Sequence, residues 1–166
     1  MTEHAITLRP ARLEDLATLT DISLRAKAHW GYGDAFMEAC RAELTVTAAD
    51  LSTSTYQVAE QGGALIGLCG LTKPEAGDDC CELHSLFVAP EAMGQGLGQL
   101  LMAWAIDEAK RRGATLIRLD ADPFAEGFYA KMGAICVGRV PSASIPGRSL
   151  PLMELTLGPA QPSSRR

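Results

Sequence analysis

The chain has 166 residues, 47% hydrophobic and 21% charged, with a net charge of −5. That suits one soluble domain with a sizeable core. It leaves no apolar run of the roughly 18 residues that a membrane span needs, and outside Lys110-Arg111-Arg112 and Arg165-Arg166 no basic cluster for nucleic acid.

Met1-Thr2-Glu3-His4 lacks the basic start and apolar stretch of a signal peptide. Five cysteines form an odd count without paired spacing, which reads as reduced thiols and a cytoplasmic location. Cys81 and Cys136 show no histidine pairing pattern, so thiol catalysis is not expected. The acidic balance mildly favours a cationic partner.

In chain order, Ala5 to Arg9 alternates as a strand and Pro10 ends it. Leu16, Leu19, Ile22 and Ala26 give helical spacing over Leu13 to Ala28, and Phe36 to Leu44 reads as a second helix after Gly31 and Gly33. Tyr56 to Glu60 and Ala64 to Leu71 form a hairpin about Gly62-Gly63. Pro74 to Asp79 is a polar loop, and Cys81 to Ala89 is a strong strand. Leu97, Leu100, Leu101, Trp104, Ala105 and Ala109 mark a core-facing helix, closed by Arg111-Arg112 and Gly113. Thr115 to Asp120 is a strand, and Pro123 to Met132 a short helix stopped by Gly133. Ala134 to Val140 and Leu152 to Leu157 are closing strands around a Pro-, Ser- and Gly-rich linker, Pro141 to Pro151. One domain over residues 4–158 and a polar tail over 159–166 are expected. The fold class is α/β, a mixed, mostly antiparallel central sheet with helices on both faces; the later β-α-β segment supplies a parallel pair.

Gly94-Gln95-Gly96-Leu97-Gly98 carries the strongest chemical signal. It lies between a strand and a helix start, where glycines bring bare N–H groups together and the helix dipole adds positive character. Phosphate or pyrophosphate is the usual guest. The dinucleotide fingerprint fails at Gln99, and its usual place is the first strand, not the fourth. The P-loop fails for want of its Lys-Ser/Thr pair. A plain strand-to-helix turn is the remaining alternative, and three alternating glycines are costly for it.

Leu86-Phe87-Val88-Ala89-Pro90 followed by Gly94-Gln95-Gly96-Leu97-Gly98-Gln99-Leu100-Leu101 resembles the acetyl-CoA-binding motif of the GNAT (GCN5-related) N-acetyltransferases. Ala125-Glu126-Gly127-Phe128-Tyr129-Ala130-Lys131-Met132-Gly133-Ala134 is similar to their second conserved segment, at the usual separation. Ser144 to Pro151 and Ala28 to Tyr32 resemble a bacterial subgroup of poorly defined substrate. Two departures stand out: Met93 replaces the family's Gln or Arg, and Asp122 replaces a common Asn.

The resemblance implies a cytoplasmic acyltransferase that moves acetyl from acetyl-CoA, without a metal, to a primary amine of a small molecule or peptide by direct attack in a ternary complex. It implies that the fourth strand splays from the next to admit the pantetheine arm. Leu86, Phe87 and Val88 would line that arm, and the N–H groups of Gly94, Gln95, Gly96, Leu97 and Gly98 would hold the pyrophosphate, with Asp122, Ala125 and Phe128 nearby. Tyr129 takes the general-acid position. Glu82 and His84 are the candidate bases, two residues apart and so on one strand face; Glu82 is expected partly buried. His29, Trp30 and Tyr32 would cover the acceptor site, and Arg148 would clamp an acceptor carboxylate. Each has a plainer alternative as an anchoring or solvated side chain. Dimers are common in the family, with the last strands as contact surface. Nucleic acid and membrane are not expected partners. The rival function is an inactive acyl-CoA-binding sensor, and a longer acyl chain is a third option.

Overall fold

The strand Ala64–Thr72 is buried continuously from Ile66 to Leu71, which requires cover on both of its faces. The computed structural model describes residues 4–74 and 78–158. It contains seven strands in one sheet: β1 (Thr7–Pro10), β2 (Ser54–Gln61), β3 (Ala64–Thr72), β4 (Cys80–Val88), β5 (Leu116–Asp120), β6 (Ile135–Pro141) and β7 (Ser149–Thr156). Their spatial order is β1-β2-β3-β4-β5-β7-β6. Every neighbouring pair is antiparallel except β4 and β5.

The helices are α1 (Leu16–Ala28), α2 (Asp34–Leu44), α3 (Ala48–Thr53), α4 (Leu97–Arg111) and α5 (Glu126–Lys131). Both α1 and α4 pack on β3 and β4. From α1, Leu19 and Ile22 are fully buried; from α4, Leu101, Met102 and Ala105 are. Each fully buried Leu or Ile contributes roughly 2 kcal/mol of apolar transfer energy. Among the described residues no helix is long and apolar enough to cross a membrane.

The β2–β3 turn forms as expected. Gly62 (φ 59°) and Gly63 (φ 82°) are both left-handed, as a two-residue hairpin turn requires, and Gln61 pairs with Ala64 across it. The helix expected from Leu13 begins as a 3-10 turn, Leu13–Asp15. There buried Asp15 accepts from the Arg12 backbone N–H at 2.8 Å and from the Arg9 guanidinium at 2.8 and 3.1 Å. The expected helix from Pro123 is shorter, because Asp122, Pro123 and Phe124 form a turn of their own.

Helix α3 has no counterpart in the apolar periodicity, since none of its residues is buried. A reciprocal capping box holds it instead: Thr47 Oγ1 accepts from the Asp50 N–H at 3.2 Å, and Asp50 Oδ2 accepts from the Thr47 N–H at 2.8 Å. The linker between the last strands is shorter than expected, with β6 and β7 extending into it and the Ser142 N–H closing onto the Arg148 carbonyl at 2.7 Å. The expected loop at Pro74 to Asp79 lies partly outside the described residues, as does the 159–166 tail.

Candidate functional site

The parallel pairing of β4 with β5 is brief. Cys80, Cys81 and Glu82 pair with Leu116, Ile117 and Arg118, and there the register ends. Beyond it, β4 runs on to Val88, paired among the described residues with β3 alone. The two strands therefore part, and the edge of β4 facing β5 carries main-chain groups with no strand partner. A cavity of about 630 Å³ fills the opening. Leu83 to Val88 form one wall, and Leu119, Asp120, Asp122, Ala125, Phe128 and Tyr129 the other.

β4 also contains a bulge. Gly70 pairs with Ser85 and Leu71 with Leu83, leaving His84 as the extra residue. A bulge bends the strand and re-aims a side chain. Gly70 makes room for this, since a Cβ at that position would lie 2.7 Å from the Tyr56 ring and 3.1 Å from the His84 ring.

At the far end of β4, Pro90–Ala92 forms a single 3-10 turn and the chain enters the glycine loop. Gly94 (φ 83°) and Gly96 (φ 77°) are left-handed, a conformation that L side chains rarely adopt. Gly96 is the N-cap of α4 and offers no side chain to cap it. The first amide of this stretch to find a backbone acceptor is that of Leu100, bonded to the Gly96 carbonyl at 3.1 Å. Among the described residues, the N–H groups of Gly94, Gln95, Gly96, Leu97, Gly98 and Gln99 have no protein partner. A recess of about 250 Å³ lies over them and shares Val88, Met93, Gly98 and Phe128 with the main cavity, so the two form one track. Met93 contributes only an apolar wall.

Tyr129, on α5, lines the cavity and is only 7% exposed. Its hydroxyl has no hydrogen-bond partner among the described residues. Burial raises its pKa, with smaller upward pulls from Cys69 and Asp122, so the phenol holds its proton.

Glu82 and His84 share a face of β4 and both line the cavity. Glu82 is exposed, which corrects the expectation of a partly buried carboxylate. His84 opens onto the cavity while its ring packs edge-on against Tyr56, centroids 5.3 Å apart. The protein around the ring lowers its pKa below the ordinary value, against upward pulls from Asp50 and Glu82. The imidazole is therefore neutral at pH 7. Its Nδ1 lies 3.3 Å from the Tyr56 hydroxyl and 3.4 Å from Ser85 Oγ. Burial pushes the Tyr56 phenol up to about 12, so it too stays protonated.

The expected acceptor-covering residues divide. Trp30 lines the cavity and stacks on Phe124 at 5.4 Å with the rings 6° from parallel. His29 is exposed and lies off the cavity, touching Trp30 only edge-on at 6.5 Å. The two lie in the turn that follows α1, which directs their side chains apart.

Tyr32 and Arg148 are also off the cavity wall. The Arg148 guanidinium donates to the Tyr32 hydroxyl at 2.6 Å and lies over the Tyr32 and Phe36 rings, 5.2 and 4.9 Å from their centroids. It is neither a solvated loop arginine nor a free clamp for a carboxylate. Tyr32 is pushed up to about 12 by burial and by its hydrogen bond to Asp122.

Asp122 does line the cavity, but its carboxylate is occupied. It accepts from Lys27 Nζ at 2.6 Å, from the Tyr32 hydroxyl at 3.0 and 3.1 Å and from the Phe124 N–H at 2.9 Å. Burial pushes its pKa upward; the Lys27 and Phe124 hydrogen bonds outweigh that and hold it below the ordinary value.

Lys27, Glu43, Arg118, Asp120 and Phe124 also line the cavity, and the sequence alone singled out none of them as site residues. Arg118 had a usable signal, since it alternates with Leu116 and Asp120 on one face of β5. It is held by Glu154 of β7 at 2.9 and 2.8 Å. All five cysteines are free; Cys81 is buried and burial raises its pKa, so it offers no ready thiolate.

The sequence model of the acetyltransferase (GNAT) family matches residues 18–134, which take in both the glycine loop and Tyr129. The chain belongs to the GNAT acetyltransferase family. Among solved structures it is similar to a GCN5-related N-acetyltransferase from Rhodopseudomonas palustris, at 27% identity and a TM-score of 0.75, covering 95% of this chain and 99% of that one. It shares its fold with the PaiA N-acetyltransferase of Thermoplasma acidophilum in complex with coenzyme A (20% identity, TM-score 0.72, 92% and 99% covered). It also shares it with YncA from Salmonella typhimurium with its cofactor acetyl-CoA (24% identity, TM-score 0.66, 97% and 99% covered). No curated protein matches the chain. In this GNAT chain the six free amides sit at the start of α4, within the matched segment.

Proposed function

We propose that this GNAT protein transfers the acetyl group of acetyl-CoA to a primary amine by direct attack in a ternary complex. The observation that carries the reading is the run of six unpartnered amides, Gly94 to Gln99, at the recess that continues into the cavity between the parted strands. Those donors suit a pyrophosphate, and the unpaired edge of β4 at Leu86, Phe87 and Val88 suits the amide-bearing pantetheine arm. Acetyl-CoA supplies an activated thioester; the protein supplies position and protons.

His84 is the better placed base. In the tautomer that donates Nδ1–H to the Tyr56 oxygen, Nε2 is the acceptor for the proton the amine gives up, directly or through water. Glu82, exposed on the same face, relays that proton onward. Main-chain N–H groups on β4 near Leu86 stabilise the oxyanion formed when nitrogen attacks the carbonyl carbon. As the C–S bond breaks, Tyr129 gives its phenolic proton to the departing thiolate sulfur. Each proton transfer contributes about 10²–10⁴-fold.

The test is calorimetry with acetyl-CoA, followed by free-thiol release across an amine panel at saturating acetyl-CoA. Tight binding with turnover for some amine supports the reading. Binding without release across the whole panel would make the chain a non-catalytic acyl-CoA-binding module.

A further inference from the structure

We propose that the acceptor is an amine that carries a second positive charge and no carboxylate, a diamine or longer polyamine by chemical class, held by Asp120 and Glu43 on the wall of the cavity. This rests on the acetyltransferase reading and narrows it.

The ionisable wall of the cavity is Glu43, Glu82, Asp120 and Asp122 against Lys27 and Arg118. Both cations are already committed. Lys27 is 2.6 Å from Asp122, and Arg118 is 2.9 and 2.8 Å from Glu154. Arg148, which the sequence offered as a carboxylate clamp, does not line the cavity; it lies over Tyr32 and Phe36 and is committed to the Asp122 carboxylate at 3.7 Å.

The carboxylates are not committed in the same way. Among the described residues Glu82 and Asp120 make no ion pair and no side-chain hydrogen bond, and Glu43 accepts only the Ser144 hydroxyl. Glu82 pairs with Arg118 in the β4–β5 register, and Asp120 lies two residues beyond Arg118 on the same strand. The two acids therefore face the cavity from one side of the sheet. His84 lies two residues from Glu82 and adds no charge at pH 7.

An independent observation shows that this space is built for a ligand. The Tyr129 hydroxyl, on a side chain 7% exposed, ends in the same cavity without a partner among the described residues. A hydroxyl at the end of a buried ring that opens into a cavity, with no protein partner, is left to hydrogen-bond whatever fills that cavity. The stacked Trp30–Phe124 pair adds aromatic faces that attract a cation and do nothing for an anion.

Charge then selects the acceptor. The attacking nitrogen must be neutral, so an acceptor with one amine gains nothing from the free acids once it is poised to react. A second ammonium group keeps its charge through the reaction and retains its attraction to Asp120 and Glu43. An amino acid presents a carboxylate to a wall that has, among the described residues, no uncommitted cation, and is disfavoured by like charge.

The experiment compares three acceptors of equal chain length that differ only at the far end: diaminobutane, butylamine and aminobutyrate. The readout is kcat/KM for CoA-thiol release at saturating acetyl-CoA and low salt. The expected order is diaminobutane above butylamine by about tenfold or more, with aminobutyrate lowest. The diaminobutane-to-butylamine ratio falls toward one in an Asp120→Asn, Glu43→Gln double variant. Should that variant not fold, raising the salt on the unaltered protein must shrink the same ratio. Aminobutyrate reacting as well as diaminobutane overturns the proposal, as does a ratio indifferent to both the variant and salt. If acetyl-CoA binds and no amine releases thiol, the acetyltransferase reading fails. Calorimetry of the acetyl-CoA-saturated protein then decides the charge preference alone: diaminobutane bound in preference to aminobutyrate upholds it, and equal or absent binding overturns it.

Discussion

Lys27 Nζ lies 2.6 Å from Asp122 Oδ2, joining the end of α1 to the turn that leads into α5 across 95 positions of sequence. Both side chains are largely buried, at 14% and 12% exposure. The pair fixes the cavity lip from two sides, because Asp122 also accepts from Tyr32 and Tyr32 accepts from Arg148.

Removing one partner of a buried pair leaves an uncompensated charge. Asp122→Asn is expected to lower stability by about 3 kcal/mol at neutral pH, read from denaturant midpoints. The effect depends on pH with a definite sign. The folded carboxyl is held below its unfolded value of 3.8, so its contribution is fully present above 3.8 and is lost as pH falls through the lower folded value. The gap between the two proteins must therefore close in acid. A gap that stays constant down to about pH 2 would mean that Asp122 acts through packing and not through charge.

Tyr129→Phe keeps the buried ring and removes only the hydroxyl. Acetyl-CoA affinity is expected to change little, while kcat falls about 10²-fold. Because burial raises the phenol, the unaltered protein should show no fall in kcat/KM from Tyr129 ionisation below about pH 10. Unchanged turnover in the variant removes Tyr129 from the acid role.

The parts of the site legible in the sequence are those whose chemistry is local. Gly94 to Gly98 act within one loop, so their spacing shows them, and Phe128-Tyr129 lie within one helix turn, where the resemblance to the family's second segment marks them. The strands and long helices were legible for the same reason, since apolar alternation and helical spacing repeat within each element. Arg148 was misjudged because its partner, Tyr32, stands 116 residues away. The Lys27–Asp122 and Arg118–Glu154 pairs are likewise products of strand order and helix placement, which no local pattern encodes. His29 and Trp30 could not be separated without knowing the path of the turn that leaves α1. Helix α3 escaped because it buries nothing, although the Thr47 and Asp50 cap was there to read.

Gly96→Ala tests the anion cradle. Among the described residues, chain neighbours aside, nothing lies within 4 Å of a Cβ at that position, so the cost is conformational: a φ of 77° strains any L residue. The expected loss of stability is about 1 kcal/mol, and acetyl-CoA affinity falls about tenfold as the free amides shift. Gly98→Ala is the matched control. Its Cβ would meet the Phe128 ring at 3.4 Å, an ordinary contact without a left-handed backbone. Thermal shift with and without acetyl-CoA separates the two. Equal weakening in both would mean that loop volume, not amide direction, governs binding.

His84→Gln and Gly70→Ala approach the base from two directions. If His84 must be neutral to accept a proton, kcat/KM falls in acid with a midpoint below the ordinary histidine value, since burial lowers its pKa. His84→Gln should lose about 10²-fold in kcat/KM and abolish that acid limb. Gly70→Ala leaves both side chains in place but sets a methyl group 2.7 Å from Tyr56 and 3.1 Å from His84, forcing the pair apart. It should lower kcat by about tenfold and move the acid midpoint, with acetyl-CoA affinity little changed, because the glycine loop lies at the far end of β4. If the acid limb survives in His84→Gln and disappears in Glu82→Gln, the base is Glu82, and the bulge at His84 serves only to shape the strand.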